Sequence, residues 1–165
     1  MESLPLSGKL KKVLAKYLKD LEKKLSVKII AEKNNVILTG EAYAEYIGAK
    51  VLHAIDLSFD MESALLLLDQ DYMLEVINLK NYVRVSRLKT VKGRIIGKKG
   101  KAKKVIAELT ECSIVIKDNA IALIGKTDDI ALATKAILSL IRGSPHASIY
   151  TFLEKNKAVK QREIY

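Results

Sequence analysis

Gly93-Arg-Ile-Ile-Gly-Lys-Lys-Gly-Lys-Ala-Lys-Lys-Val-Ile106 is the stretch on which the reading of this 165-residue chain turns. Two isoleucines precede a Gly-x-x-Gly loop, Gly97 to Gly100. Ala102, Val105, Ile106 and Leu109 then recur at helical spacing, with Lys101, Lys103 and Lys104 turned to solvent. Glycine lets a main chain approach another backbone with no Cβ in the way. A helix that starts just after the loop offers unpaired N–H groups and a partial positive charge to an anion. Lys98 and Lys99 at the tip, with Lys101 and Lys104 beyond it, add full charges suited to phosphates.

The charge distribution points the same way. Residues 80–104 hold eleven Lys or Arg and no carboxylate, whereas residues 29–79 hold two lysines against nine carboxylates. Residues 1–28 hold eight lysines and three carboxylates, and the whole chain carries a formal charge of +10. A solvated lysine face normally has glutamates interspersed, so an uninterrupted basic block predicts a directed patch for a polyanion.

Outward from the loop, the sequence predicts a helix, a hairpin and a second helix. Ser113–Lys117 is short and β-branched, Asp118-Asn119 is a turn signal, and Ile121–Ile124 is a further strand. An apolar-faced helix runs from about Asp128 to Arg142 and stops at Gly143 and Pro145. The same order occurs earlier. Gly8-Lys-Leu-Lys-Lys-Val-Leu-Ala15 matches Gly100-Lys-Ala-Lys-Lys-Val-Ile-Ala107 at six of eight positions, 92 residues apart. Val36–Gly40 aligns with Ile121–Gly125 at an offset of 85, so the first copy is expected to have a helix longer by about two turns. Its strands are expected at Val27–Ala31 and Val36–Thr39, its second helix from about Glu41 to Leu57 and a connecting helix at roughly Met61–Leu68. Leu74–Leu79 alternates and is expected to open the second domain as a strand. Residues 81–92 read either as strand (Val83, Val85) or as helix (Leu88, Val91), with helix favoured, and Ser148 to Arg162 as a basic terminal helix.

This pattern resembles the KH domain of type I, in which a Gly-x-x-Gly loop clamps about four unpaired nucleotides. The expected architecture is α+β, with two tandem KH-type domains, each a small antiparallel sheet packed on helices. The expected divisions are a degenerate copy over residues 1–72, an intact one over 73–143 and a C-terminal basic helix over 144–165. In the intact copy the RNA-binding residues are expected to be Arg94, Ile96, Gly97, Lys98, Lys99, Gly100, Lys101, Lys104 and Ile116, with Ile96 and Ile116 lying under the bases. The first copy offers Leu4-Pro-Leu-Ser-Gly8 in place of Ile96-Gly-Lys-Lys-Gly100. Pro5 replaces the first glycine, and too few residues precede it to predict an opening strand and helix. This half reads as a packing domain whose basic helix (Lys9, Lys11, Lys12, Lys16, Lys19) is left for nonspecific phosphate contact.

Other chemistry fails on residue type. The spacing Gly93 to Gly97, followed by Lys98-Lys99, fits neither a nucleotide P-loop nor the dinucleotide fingerprint. His53 and His146, the two histidines, have no neighbouring ligand set, and the single Cys112 reads as a small core residue. Asp69 and Asp71 read as helix-ending residues. No catalytic residue, metal site or cofactor is expected. With no apolar run of membrane-spanning length and no leader-like start, a cytoplasmic protein without membrane association is expected.

A more specific resemblance rests on Asp71-Tyr-Met-Leu-Glu-Val-Ile-Asn-Leu79, on the segment inserted before Gly93-Arg-Ile-Ile-Gly97, and on Arg142-Gly-Ser-Pro-His-Ala-Ser-Ile-Tyr-Thr-Phe-Leu-Glu154. These features are similar to those of the archaeal Partner-of-Nob family, two-KH proteins of small-ribosomal-subunit assembly. Membership implies binding of single-stranded RNA near the 3′ end of small-subunit rRNA, partnership with the Nob PIN-domain endonuclease, and positioning of RNA without chemistry. A general KH protein of translation or RNA turnover and a protein-binding scaffold are the competing readings. The scaffold predicts an eroded second loop.

Overall fold

In a computed structural model, which describes residues 1–164, the chain divides between Gln70 and Asp71 into two compact units. The first comprises β1 (Glu2–Pro5), α1 (Gly8–Leu25), β2 (Val27–Ala31), β3 (Asn35–Gly40), α2 (Ala42–Asp56) and α3 (Met61–Leu65), the last extended by a 3₁₀ turn at Leu66–Leu68. Its sheet is antiparallel, in the order β1-β3-β2. The second comprises β4 (Tyr72–Asn78), 3₁₀ turns at Leu79–Asn81 and Val85–Arg87, α4 (Leu88–Ile96), α5 (Lys101–Thr110), β5 (Ser113–Lys117), β6 (Ala120–Lys126), α6 (Thr127–Ile141) and α7 (His146–Ile164). Its sheet repeats the arrangement, antiparallel in the order β4-β6-β5. Both units are α+β, and the two three-stranded sheets place equivalent strands in equivalent positions.

The first unit corrects one expectation. Its sheet has three strands, because Glu2–Pro5 pairs with β3 in the register Glu2↔Leu38 to Pro5↔Asn35. Four residues with a single half-buried apolar side chain, Leu4, give no alternation to read. A proline is tolerated there because β1 lies at the sheet edge and Pro5 ends it. The link from β1 to α1 is only Leu6 and Ser7, where the second unit has a whole helix, α4, and the loop. α1 is 18 residues long against 10 for α5, which accounts for the shift between the two alignment offsets. The extra length has a use. The Glu22 carboxylate accepts the Ile29 N–H of the edge strand β2 at 2.9 Å.

The second unit is organised by a core in which Ile77 and Leu79 from the β4 side, Ile121 and Leu123 of β6, and Ile106 of α5 meet Ile130, Ile137 and Leu140 of α6. Each such side chain contributes about 1.5–3 kcal/mol by leaving water. α4 begins at Leu88, not earlier, because Leu88, Val91 and Ile95 form its buried stripe, while Tyr82 and Val85 just before it are 51% and 78% exposed. The helix favoured for 81–92 is therefore half right, and an irregular turn at 82–84 and a 3₁₀ turn at Val85–Arg87 precede it. α7 is part of this unit, its Ile149 and Leu153 buried in the same core. Lys160 on α7 reaches the buried Asp129 carboxylate of α6 at 2.8 Å and Glu111 at the end of α5 at 3.4 Å.

Cys112 is a core residue, 5% exposed, seated against Gly125, where an added Cβ would come within 2.7 Å of its Sγ. Burial pushes its thiol up to about 11. The thiol is neutral in the folded state at about pH 8, so a disulfide reagent is expected to modify it only on unfolding. The stability due to this neutral thiol is expected to be present below the unfolded-state pKa and lost as pH rises towards the folded value. A native protein that reacts as fast as a free thiol would contradict this placement.

Candidate nucleic-acid interface

α4 ends where Gly97 leaves the helical region. Its φ of 75° and ψ of 174° are available to glycine almost alone. The Gly97 N–H still donates to the Gly93 carbonyl at 2.9 Å, closing the helix. The chain then turns through Lys98–Gly100, with both Lys99 (φ 53°, ψ 30°) and Gly100 (φ 76°, ψ 10°) left-handed, before α5 begins. Close packing adds a second demand at Gly97. A Cβ there would lie 2.5 Å from the Ala102 Cβ and 2.6 Å from its nitrogen, and Ala102 is fully buried. At Gly100 a Cβ would meet nothing within 4 Å. The first glycine lets the loop fold back on α5, and the second leaves its outer surface bare.

No side chain caps α5 and no acidic residue lies in its first turn, so its amide end is open to an incoming anion. Lys98, Lys99, Lys101 and Lys104 are exposed around it. Among the described residues none of the four has a carboxylate within ion-pair distance. Beside the loop lies an open groove of about 430 Å³ lined by Ile96, Gly100, Lys103, Lys104, Ala107 and Ile116. Its floor is aliphatic and half-buried, its rim is cationic, and one wall is the edge strand β5. The arrangement can hold a sugar-phosphate chain at the loop while bases lie over the aliphatic floor.

The structure thus brings Ile96, Gly97, Lys98, Lys99, Gly100, Lys101, Lys104 and Ile116 to one place. It adds Lys103 and Ala107, which sequence reading left out. Lys103 was assigned to solvent because it lies off the buried stripe, yet the groove opens beside that stripe. Arg94 is oriented differently. Its guanidinium donates from Nη2 to the Ser144 carbonyl at 2.7 Å and from Nε to the Leu140 carbonyl at 3.4 Å, at the C-terminal end of α6. The His146 ring in turn bonds the Arg94 carbonyl at 2.8 Å. These bonds pin the end of α4, just before Gly97, to the corner between α6 and α7. Arg94→Ala is therefore expected to weaken RNA binding without changing its salt dependence, because an aligned loop is lost and a phosphate contact is not. Lys98→Ala is expected to make the dependence shallower by about one contact's worth. Equal changes in slope for the two variants, measured over a salt series, would make Arg94 a phosphate ligand.

The equivalent place in the first unit is closed. Ser7 caps α1, its hydroxyl accepting the Leu10 N–H at 3.1 Å and donating to the Asp56 carboxylate. Pro5 and Leu6 stand where the loop would be, and the Glu22 carboxylate lies on the β2 edge.

A profile of the second KH domain of PNO1 proteins, a eukaryotic-type (type I) KH domain, matches residues 73–158. A KH domain-containing protein of Methanocaldococcus jannaschii is 33% identical over 146 residues, 84% of this chain and 64% of that protein. The pre-rRNA-processing protein PNO1 of Candida albicans is 32% identical over 150 residues, 86% of this chain and 54% of that protein. The chain thus spans less than two thirds of the length of these relatives. A chain from the solved a/eIF2alpha–aDim2p–rRNA complex of Pyrococcus horikoshii superposes with a TM-score of 0.85 at 32% identity, over 95% of this chain and 93% of that one.

Proposed function

The chain belongs to the PNO1/Dim2-type KH family, and from that premise we propose that it is an RNA-binding, noncatalytic assembly factor of the small ribosomal subunit. The second unit grips single-stranded RNA near the 3′ end of the small-subunit rRNA, and the first unit, which lacks the loop, takes no part in that clamp. The observation that carries the reading is the intact loop: two glycines at positive φ, unpaired lysines at the tip, an uncapped helix start and an aliphatic groove beside it. A scaffold that had given up RNA would have no reason to keep that combination. Pre-rRNA processing in the relative's name and rRNA in the Pyrococcus complex agree with this substrate class. The proposal extends to a partner, the Nob PIN-domain endonuclease, for which this protein positions the RNA, and to work in the cytoplasm. No helix among the described residues is long and apolar enough to cross a membrane.

Fluorescence anisotropy with short single strands tests the substrate. Oligonucleotides from the 3′ end of the small-subunit rRNA are expected to bind at least about tenfold more tightly than unrelated strands of equal length, a difference within reach of a few base contacts. Equal affinity for all strands, together with absence of the protein from small-subunit precursor fractions, would replace this function with a general RNA-binding role.

A further inference from the structure

The first unit carries a second cationic feature, which the clamp does not explain. Lys9, Lys12, Lys16, Lys19 and Lys23 of α1 are all exposed. At three- and four-residue spacing they fall on one arc of the helix, about 80° wide, and form a straight row about 21 Å long. Leu10, Leu14, Leu21 and Leu25, on another face, are buried and hold the helix in place.

This row works against its own helix in two ways. Like charges three or four residues apart repel along the row. Lys9, Lys11 and Lys12 sit in or beside the first turn, which has no acidic residue, and cations there oppose the helix dipole. An ordinary solvated face would carry glutamates between the lysines. Here Asp20 is the one carboxylate on the exposed side, since Glu22 is turned to the Ile29 N–H. None of the five lysines has an ion-pair partner among the described residues. Residues 29–70 of the same unit hold two lysines against seven carboxylates, so the positive charge is concentrated on this one helix. Local electrostatics that oppose the fold and are kept together on one surface mark a site that is stabilised by something else.

The chemistry of that partner follows from what surrounds the row. The row lacks the clamp that holds unpaired nucleotides, because the loop position is filled by Pro5, Leu6 and the Ser7–Asp56 pair, and Glu22 places negative charge on the β2 edge. Phosphates alone are suited, and a straight, rigid row suits a phosphate track that is already ordered. We infer that the lysine row of α1 is a second RNA-binding surface, which takes the phosphate backbone of double-helical RNA by shape and charge. It goes beyond the single-strand clamp and does not depend on it.

The test compares two charge-matched triple variants of the full chain, all at exposed positions. Lys12→Gln/Lys16→Gln/Lys19→Gln breaks the row, and Lys24→Gln/Lys28→Gln/Lys33→Gln removes the same charge from elsewhere in the unit. A blunt RNA duplex of roughly 16 base pairs, the length a shape-reading RNA domain spans, and a single strand of about six nucleotides are the probes. The row variant is expected to lose about tenfold or more in duplex affinity, with a salt dependence shallower by about three contacts, while keeping its single-strand affinity within about twofold. The control variant is expected to change neither by more than about threefold. Equal duplex affinity for the two variants would overturn the inference, and so would loss of binding to polyglutamate in the row variant with the duplex unaffected, which would assign the row to an acidic protein. Failure of the wild-type chain to bind any single strand, with the duplex pattern as expected, would refute the clamp and leave the row standing.

Discussion

Replacing both Lys98 and Lys99 by aspartate is expected to lower single-strand RNA affinity by about a hundredfold or more while leaving the protein folded. Two attractive charges at the phosphates become repulsive, and the salt dependence is expected to become shallower by about 0.7 per lost contact, as for single strands. The fold has little at stake there. Both side chains are exposed and unpaired, so stability is expected to move by about 0.5 kcal/mol or less. Lys99 is left-handed at φ 53°, a conformation that aspartate tolerates better than most residues, so the loop keeps its shape. The corresponding change of Leu6 and Ser7 is expected to leave RNA affinity where it was. It is also expected to destabilise the first unit, not by losing the N-cap, which aspartate can serve, but because a carboxylate at position 7 would face the Asp56 carboxylate to which the Ser7 hydroxyl donates. Anisotropy at two salt concentrations, with urea unfolding of each variant, separates these outcomes. A Leu6/Ser7 variant that stayed folded and lost as much affinity as the Lys98/Lys99 variant would place RNA in the first unit as well.

The second large effect is expected at the loop glycines, and it differs between them. Gly97→Ala meets two costs together. The φ of 75° with ψ of 174° is strained for any residue with a Cβ, at about 1–3 kcal/mol. The new Cβ also collides with the Ala102 backbone and side chain, at about 1–3 kcal/mol more. A loss of about 3 kcal/mol or more from the second unit is expected, a large part of what a small domain has. Gly100→Ala meets only the left-handed penalty, about 1–2 kcal/mol, since its Cβ would lie in open space. Both variants are expected to bind RNA poorly, the first through a displaced loop and the second because a methyl group stands where a sugar-phosphate chain would approach. Urea denaturation curves that show equal stability for the two variants would mean that the close approach of Gly97 to Ala102 is not a constraint.

Much of this was legible in the residues because the signals were periodic or chemically exclusive. Val105, Ile106 and Leu109 mark α5 by their spacing, and the β-branched run at Ser113–Lys117 coincides with β5. The Gly97–Gly100 loop was legible because the Ile95-Ile96 prefix, the basic tip and the helix, hairpin and helix that follow accompany its glycines. β1 was not legible, since a four-residue edge strand with one half-buried apolar side chain has no period. The reach of Arg94 was hidden for a different reason. Its acceptors are main-chain carbonyls at Leu140 and Ser144, about fifty residues away, and a carbonyl leaves no mark on a sequence. A basic residue in a basic run reads as a phosphate ligand until the fold shows what it touches. The closure of the first unit was half visible. Pro5 in place of glycine could be read directly, but the Glu22–Ile29 bond depends on how far α1 extends along β2.

Amide chemical-shift mapping of the full chain, titrated with a single-stranded RNA of about six nucleotides, tests the division of labour most directly, since a KH clamp holds about four. The expected result is that Gly97 to Lys101, Lys103, Lys104 and Ile116 shift together and saturate with one affinity, while Leu6 to Gly8 and Ile29 stay in place. Shifts of equal size around Leu6 to Gly8, or none at Gly97 to Lys101 at saturating RNA, would contradict the claim that the second unit alone clamps the single strand.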